Sequence, residues 1–297
     1  MSKIGFIGAG TMGAPMIGHL LDAGHEVAVH VRRREAAAAL FERGARYAQT
    51  PAEAARGAEF VCTNVTGTAD VESVLFGENG AAGATEAGAI VIDFSTISAV
   101  ATREFARRLA QQRIDMLDCP VSGGAAGARQ ATLSISVGGD AAVLERARPL
   151  LERLGRTITH VGGHGAGQVV KACNQIVQVV NIEGIAEAML FASANGVDPA
   201  RMLPALQAGM AGSRMLDLMG TKMAERDFAA GIEARLHQKD FGMVIEATQA
   251  LGLSLPAAAI VSQQLNALVG NGWGRDDTSS LLRVLEGANR GRAANEE

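Results

Sequence analysis

The chain has 297 residues, enough to bury a large core and to fill two domains rather than one. Apolar residues make up 48% and charged residues 20%. The formal charge of −4 comes with no basic stripe suited to a phosphate backbone, which argues against a nucleic-acid partner. Three widely spaced cysteines, Cys62, Cys119 and Cys173, speak against a disulfide framework and against a cysteine-rich zinc site, so no metal is expected.

The chain opens on a strand-like segment, Lys3-Ile4-Gly5-Phe6-Ile7, without the charged start and long apolar run of a secretory signal. No stretch approaches twenty uninterrupted apolar residues, so no membrane partner is expected. The expectation is a cytoplasmic protein with reduced thiols. Further apolar runs at 26–31, 60–65, 89–94, 115–119, 132–137 and 157–161 follow the first at 3–8. Helical patterns fill most gaps, at 12–23, 35–43, 69–76, 98–112 and 141–154. Strands alternating with helices imply crossover units and a doubly wound, mainly parallel sheet. Helices on both faces explain why several strands are continuous apolar runs.

From 166 onward the strand signal stops. Residues 168–195 read as one helix of roughly 40 Å at about 1.5 Å per residue, ended by Gly196 and Pro199. Further helices are expected at about 199–208, 213–225, 238–251, 256–270 and 277–286, with a frayed tail after about 288. The expected fold is therefore α/β: a Rossmann-type N-terminal domain, a long joining helix and an all-α C-terminal domain. The dinucleotide-binding domain is expected over 1–163 and the helical domain, for substrate and oligomerisation, over 164–297. The cleft between them is the default ligand site. The long helix is apolar on nearly all sides, through Val169, Val170, Ile176, Val177, Val180, Ile182, Ile185, Met189 and Leu190. Such a helix needs cover on every side, so a second copy of the chain is expected against it.

Two glycine-rich segments carry chemistry. Gly8-Ala9-Gly10-Thr11-Met12-Gly13 follows the first strand and opens a helix, the dinucleotide fingerprint. Gly8 makes the tight turn, Gly10 admits the pyrophosphate, and Gly13 allows close packing. Thr11 and Met12 belong to the helix N-terminus that faces the phosphates. The second strand ends in Val29-His30-Val31-Arg32-Arg33-Arg34, with no acid until Glu35. Arg32 and Arg33 suit a ribose 2′-phosphate, which favours NADP with NAD as the alternative. The competing reading is a solvated charge run, made less comfortable by cations at a helix start.

The second segment is Gly165-Ala166-Gly167-Gln168-Val169-Val170-Lys171-Ala172-Cys173-Asn174-Gln175. Asn174 and Gln175 follow Lys171 by three and four residues and share its helix face. A buried amine flanked by amides can hold a substrate oxygen and pass it a proton; a lysine snorkelling from a helix end is the alternative. Cys173 is expected as small buried filler. Ser122-Gly123-Gly124 offers a hydroxyl and unshielded N–H groups, either an anion nest or an ordinary strand-exit turn. The histidines show no metal spacing. His237, shortly before Lys239, is either a packing residue or a ligand contact. The methionines at 210, 215, 219 and 223 are expected to fill core gaps, and Ser213 and Arg214 are candidate ligand contacts.

Four segments in order resemble the β-hydroxyacid dehydrogenase family: Gly5-Phe6-Ile7-Gly8-Ala9-Gly10-Thr11-Met12-Gly13, Asp118-Cys119-Pro120-Val121-Ser122-Gly123-Gly124, the Lys171 segment, and Lys239-Asp240-Phe241. The resemblance implies an NAD(P)-dependent oxidoreductase, acting on a small carboxylate-bearing aldehyde or hydroxy acid and assembled as a homodimer or homotetramer. It implies Lys171 as the catalytic residue and Ser122, Gly123 and Gly124 as the grip on the substrate carboxylate. It further implies Thr96 near the nicotinamide, and Val65 and Lys239 on the cofactor. The Asn174-Gln175 pair, Gly209-Met210-Ala211-Gly212-Ser213 and Leu236-His237-Gln238-Lys239-Asp240 resemble the branch that reduces tartronate semialdehyde to glycerate. Alternatives are 3-hydroxyisobutyrate oxidation, succinic semialdehyde or glyoxylate reduction, and, in another class, a non-catalytic dinucleotide sensor, which would need neither Lys171 nor the Ser-Gly-Gly run.

Overall fold

A computed structural model describes residues 1–289. The tail expected to fray lies, from residue 290 on, outside the described residues. Two compact units are present, Met1–Lys171 and Ala172 onward, and the division falls within the helix Ala166–Ala194.

The first unit is built on one sheet. Its strands are β1 (Lys3–Ile7), β2 (Glu26–His30), β3 (Arg46–Ala48), β4 (Phe60–Thr63), β5 (Ile90–Asp93), β6 (Asp115–Asp118), β7 (Val121–Ser122), β8 (Leu133–Gly138) and β9 (Gly155–Gly162). The order is β3-β2-β1-β4-β5-β6-β8-β7, with β9 beside β8. The six strands from β3 to β6 in that order run parallel, β8 pairs antiparallel with β6 and β7, and β9 is parallel to β8. This is the doubly wound, mainly parallel sheet expected. β4 and β5 are buried at every position, because helices cover both faces. Chain order reverses at β1, whose neighbours are β2 and β4. In open parallel sheets that reversal leaves a crevice at the carboxyl ends of the strands.

The short elements escape the sequence. β3 has three residues and β7 two, too few to show a period. The short helices Pro51–Ala55 and Gly124–Arg129 carry no such signal either.

The second unit is helical, with helices at Pro199–Ala208, Ala234–Leu251, Pro256–Gly270 and Leu281–Asn289. The single helix expected over 213–225 is interrupted by a π-helical turn, Leu216–Gly220, before Thr221–Ala224. Val179, Ile182, Ile185, Ala186 and Met189 of the long helix pack into one core with Phe241, Val244, Leu265, Leu268 and Leu281. By length and composition alone this helix is long and apolar enough to cross a membrane, a test that the core helix of a globular protein also passes.

Two expectations need correction. Cys173 is exposed rather than buried filler. It lies on a helix face with Val170, Val177 and Phe191, which are exposed as well. Successive steps of three, four and fourteen residues along these positions return to the same side of a 3.6-residue period. Met210 is fully exposed rather than a core filler, whereas Met219 and Met223 are buried.

Glu183 is the outlier of the helical core. It is 5% exposed and both carboxylate oxygens lack a hydrogen-bond partner. Burial, reinforced by neighbouring Glu187, raises its pKa to about 7. The folded state then holds this proton more tightly than the unfolded state, whose value is the ordinary 4.5. The group favours folding most below the unfolded value, and that contribution is lost as pH rises toward 7. Glu183→Gln should therefore flatten the fall in Tm between pH 5 and pH 8 and raise Tm at pH 8. A shift of a few degrees is expected, since 1 kcal/mol moves the Tm of a domain this size by about 2–8 °C. An unchanged pH profile would contradict the assignment.

Candidate active site

The fingerprint turn leaves β1 at Gly8, whose N–H bonds the His30 carbonyl at 3.0 Å. Gly8 has φ +100°, and a Cβ there would collide with the Asn64 carbonyl and approach Val65 Cγ1 at 3.1 Å. Val65 is thereby placed at the turn. Its N–H is fixed by Ser95 Oγ at 3.0 Å. A Cβ on Gly13 would run into the Gly8 carbonyl, which explains the third glycine. Gly10 is different: nothing lies within 4 Å of its missing side chain. The helix Gly13–Asp22 has no acid in its first turn, and Gly10 and Thr11 are exposed, with Met12 half-buried. Open space at Gly10 beside a helix N-terminus fits a pyrophosphate.

At the end of β2, Arg32 and Arg33 are exposed and form no ion pair among the described residues. Arg34 is used otherwise: its guanidinium lies over the Tyr47 ring at 5.1 Å and the Phe41 ring at 5.9 Å. Of the three arginines, the structure thus leaves the first two turned to solvent beside the fingerprint strand.

The carboxyl ends of β5 and β6 carry buried polar groups. Asp93 and Asp118 face each other in strand register and are both fully buried. Asp93 Oδ1 accepts from Thr63 Oγ1 at 2.7 Å and from Ser95 N at 3.0 Å. Burial raises its pKa to about 6 despite those bonds. Asp118 is also pushed up by burial, opposed by N–H donors from Gly165 and Gln168 at 2.8 and 3.0 Å. These two N–H groups belong to the start of the helix Ala166–Ala194, so Asp118 caps it. A Cβ on Gly167 would come within 2.6 Å of the Asp118 carbonyl, so the helix end and β6 touch backbone to backbone.

Gln168 completes the clamp. Its Nε2 donates to Ser95 O at 2.8 Å, and its Oε1 accepts from Ile97 N at 3.1 Å. Half-buried Thr96 is held between these two bonded residues. One turn on, Lys171 Nζ donates to the Val121 carbonyl at 3.0 Å. Val121 immediately precedes Ser122, and the run then bends through Gly123, at φ +129°, and Gly124, at φ +60°. Gly123 is exposed, and Ser122 and Gly124 are half-buried. The structure thus brings Lys171, Ser122, Gly123 and Gly124 together.

Within the helical unit, Asn174 Nδ2 donates to Gln175 Oε1 at 2.9 Å, and Gln175 Nε2 donates to Asp240 Oδ2 at 2.7 Å. Asp240 Oδ1 lies 3.0 Å from Lys239 Nζ as an ion pair. Ser213 is spent on structure: its hydroxyl donates to Asn181 and accepts the Leu216 N–H. His237 is buried, with Nδ1 2.7 Å from Thr278 Oγ1. Among the described residues no group of three or more His, Cys, Asp or Glu side chains is placed to hold a metal ion.

Comparison with known proteins matches this geometry to a family. Residues 3–162 match the NAD-binding domain of 6-phosphogluconate dehydrogenase, and residues 165–285 match the NAD-binding domain of NADP-dependent 3-hydroxyisobutyrate dehydrogenase. The 2-hydroxy-3-oxopropionate reductase of Escherichia coli (strain K12) is 44% identical over 285 residues, covering 96% of this chain and 97% of its own.

The chain belongs to the β-hydroxyacid dehydrogenase family.

It is an oxidoreductase of the nicotinamide-dependent type. A second relative, the NAD-dependent L-serine dehydrogenase of Pseudomonas aeruginosa, is 35% identical, covering 96% of this chain and 98% of its own. Among solved structures, a Mycobacterium tuberculosis 3-hydroxyisobutyrate dehydrogenase with L-serine has a TM-score of 0.89 at 31% identity, covering 96% of this chain and 99% of its own.

Four residues that make the buried polar bonds described above are not singled out by sequence reasoning: Asp93, Asp118 and Gln168 in the first unit, and Asp240 in the second. Asp118, Gln168 and Asp240 sit inside segments quoted above, and Asp93 ends an apolar run. For the two on strands, the signal is an acid at the end of an otherwise apolar run, which is costly unless it bonds something. Gln168 carries no such signal, because its partners lie 71 and 73 residues away in sequence.

Proposed function

We propose that the chain is an NADPH-dependent reductase of small semialdehyde acids, with tartronate semialdehyde, reduced to glycerate, as the first candidate. The observation that carries this is the 3.0 Å bond from Lys171 Nζ to the Val121 carbonyl, which sets an amine beside the Ser122-Gly123-Gly124 run. The 44% identity to a 2-hydroxy-3-oxopropionate reductase supports the substrate class.

The Ser122 hydroxyl and the N–H groups of Gly123 and Gly124 take the substrate carboxylate. Gly8, Gly10, Thr11, Met12, Gly13, Val65 and Thr96 hold the dinucleotide, and Lys239 adds a cation. When bound, the dinucleotide supplies the hydride that reduces the aldehyde carbon. As charge grows on the carbonyl oxygen, Lys171 stabilises it and donates the proton that completes the hydroxyl. In oxidation the same amine takes that proton back. Asn174 and Gln175, one helical turn on, orient the reacting oxygen. Arg32 and Arg33 favour a 2′-phosphate, because no acid at the end of β2 is present to hold a free 2′-hydroxyl.

Lys171→Ala should lose several powers of ten in turnover while dinucleotide binding survives. Turnover within about tenfold of wild type, equivalent to about 1.4 kcal/mol, would remove Lys171 from the chemistry. Arg32→Asp should raise KM for NADPH far more than for NADH; equal losses with both would refute 2′-phosphate recognition.

The exposed stripe Val170, Cys173, Val177 and Phe191 supports a homodimer or homotetramer in which a second copy covers the long helix. Sedimentation equilibrium at micromolar concentration should return a dimer or tetramer; a monomer would contradict this assembly.

A further inference from the structure

Three side-chain amides and one carboxylate form a directional chain in the helical unit. Gln178 Nε2 donates to Asn174 Oδ1 at 3.2 Å. Asn174 Nδ2 donates to Gln175 Oε1 at 2.9 Å, and Gln175 Nε2 donates to Asp240 Oδ2 at 2.7 Å. Every donor points the same way, toward Asp240. The direction has a physical cause. An amide offers a donor on one side and an acceptor on the other, and by itself has no preferred sense in such a row. An ionised carboxylate can only accept. Gln175 must therefore turn its NH2 to Asp240 and its carbonyl to Asn174. Asn174 must in turn present its NH2 to Gln175. Gln175 and Asp240 are buried, at 4% and 7% exposure, so water cannot scramble the order. Asn174, the next member of the row, is half-buried. After its bond to Gln175 it keeps a second N–H, on the helix face it shares with Lys171 by three-residue spacing.

On the footing of the semialdehyde-acid reading above, we infer that Asp240 is a positioning residue: acting through Gln175, it holds the Asn174 amide with an N–H toward the reacting oxygen. A carbonyl oxygen, and the alkoxide character it gains during reduction, can only accept. It needs donors, and Asn174 supplies a second one beside the Lys171 amine. Were the row reversed, the N–H and the carbonyl lone pair of Asn174 would exchange places. A lone pair would then meet the growing negative charge.

Moving the carboxylate tests the direction without removing the bonds. In Asp240→Asn the shape and the hydrogen bond to Gln175 are kept and the ion pair with Lys239 is lost, but the row is free to reverse. In Gln175→Glu two carboxylates meet. In the double variant Asp240→Asn/Gln175→Glu the new amide at position 240 donates to the new carboxylate at position 175. That carboxylate also accepts from Asn174, so the Asn174 amide keeps its original sense. Wild type and the three variants are assayed for kcat/KM on tartronate, succinic and methylmalonate semialdehydes, with Tm and NADPH affinity measured alongside. Asp240→Asn should lose about ten- to a hundredfold in kcat/KM, the usual cost of a misdirected buried polar group, and Gln175→Glu should lose activity through the two like charges that meet rather than through the sense of Asn174. The double variant, which lacks the Lys239 ion pair equally, should recover at least about tenfold over Asp240→Asn, with Tm and NADPH affinity close to those of Asp240→Asn. Two outcomes overturn the inference: an Asp240→Asn enzyme within about threefold of wild type, or a double variant no better than that single one, as independent structural damage would give. A wild type that reduces none of the three aldehydes would instead overturn the functional reading, and this inference with it.

Discussion

The Asp118 carboxylate is buried at the end of β6 and accepts the N–H groups of Gly165 and Gln168. That contact decides where the long helix begins, and so where Lys171 stands. Gln168 adds a second constraint by bonding both sides of Thr96 through Ser95 and Ile97. Between them, two side chains on or facing the first helical turn tie it to the exits of two neighbouring strands. Lys171 follows one turn later and reaches the Val121 carbonyl at the entry to Ser122-Gly123-Gly124.

Such an arrangement costs stability locally. Asp93 and Asp118 stand in register on adjacent strands, both shielded from water, and burial raises the pKa of each. Core residues around them, such as Ile92 and Leu117, offset that cost through apolar burial. Polar groups gathered at the carboxyl ends of parallel strands, where chain order reverses, are where an open α/β sheet places its ligand. The glycines follow the same logic. Gly8 and Gly13 are required by contacts inside the protein, whereas Gly10 is bare on the side where nothing is packed.

The long elements are legible in the sequence. Strands of four or more residues and helices of nine or more declare their period, and the α/β unit followed by helices comes directly from that alternation. Two- and three-residue strands carry no period, so β3 and β7 are invisible. The π-helical turn at Leu216–Gly220 has the same apolar spacing as an α-helix and cannot be told from one. Motifs point to Lys171, Ser122 and the fingerprint glycines. Their partners do not show: Val121 lies 50 positions from Lys171, and Asp240 lies 65 from Gln175. Local spacing carries no information about such pairs. Cys173 reads as buried from sequence and is exposed, because apolar spacing along a helix does not say which of its faces the chain itself covers.

The most direct test is a crystal structure of the protein with the oxidised dinucleotide and glycerate. The Lys171 amine is expected to leave the Val121 carbonyl and lie within about 3 Å of the glycerate hydroxyl that is oxidised, with the carboxylate on Ser122-Gly123-Gly124. A complex in which Lys171 stays on Val121, or turns to bulk water while the ligand binds elsewhere, would contradict the central claim.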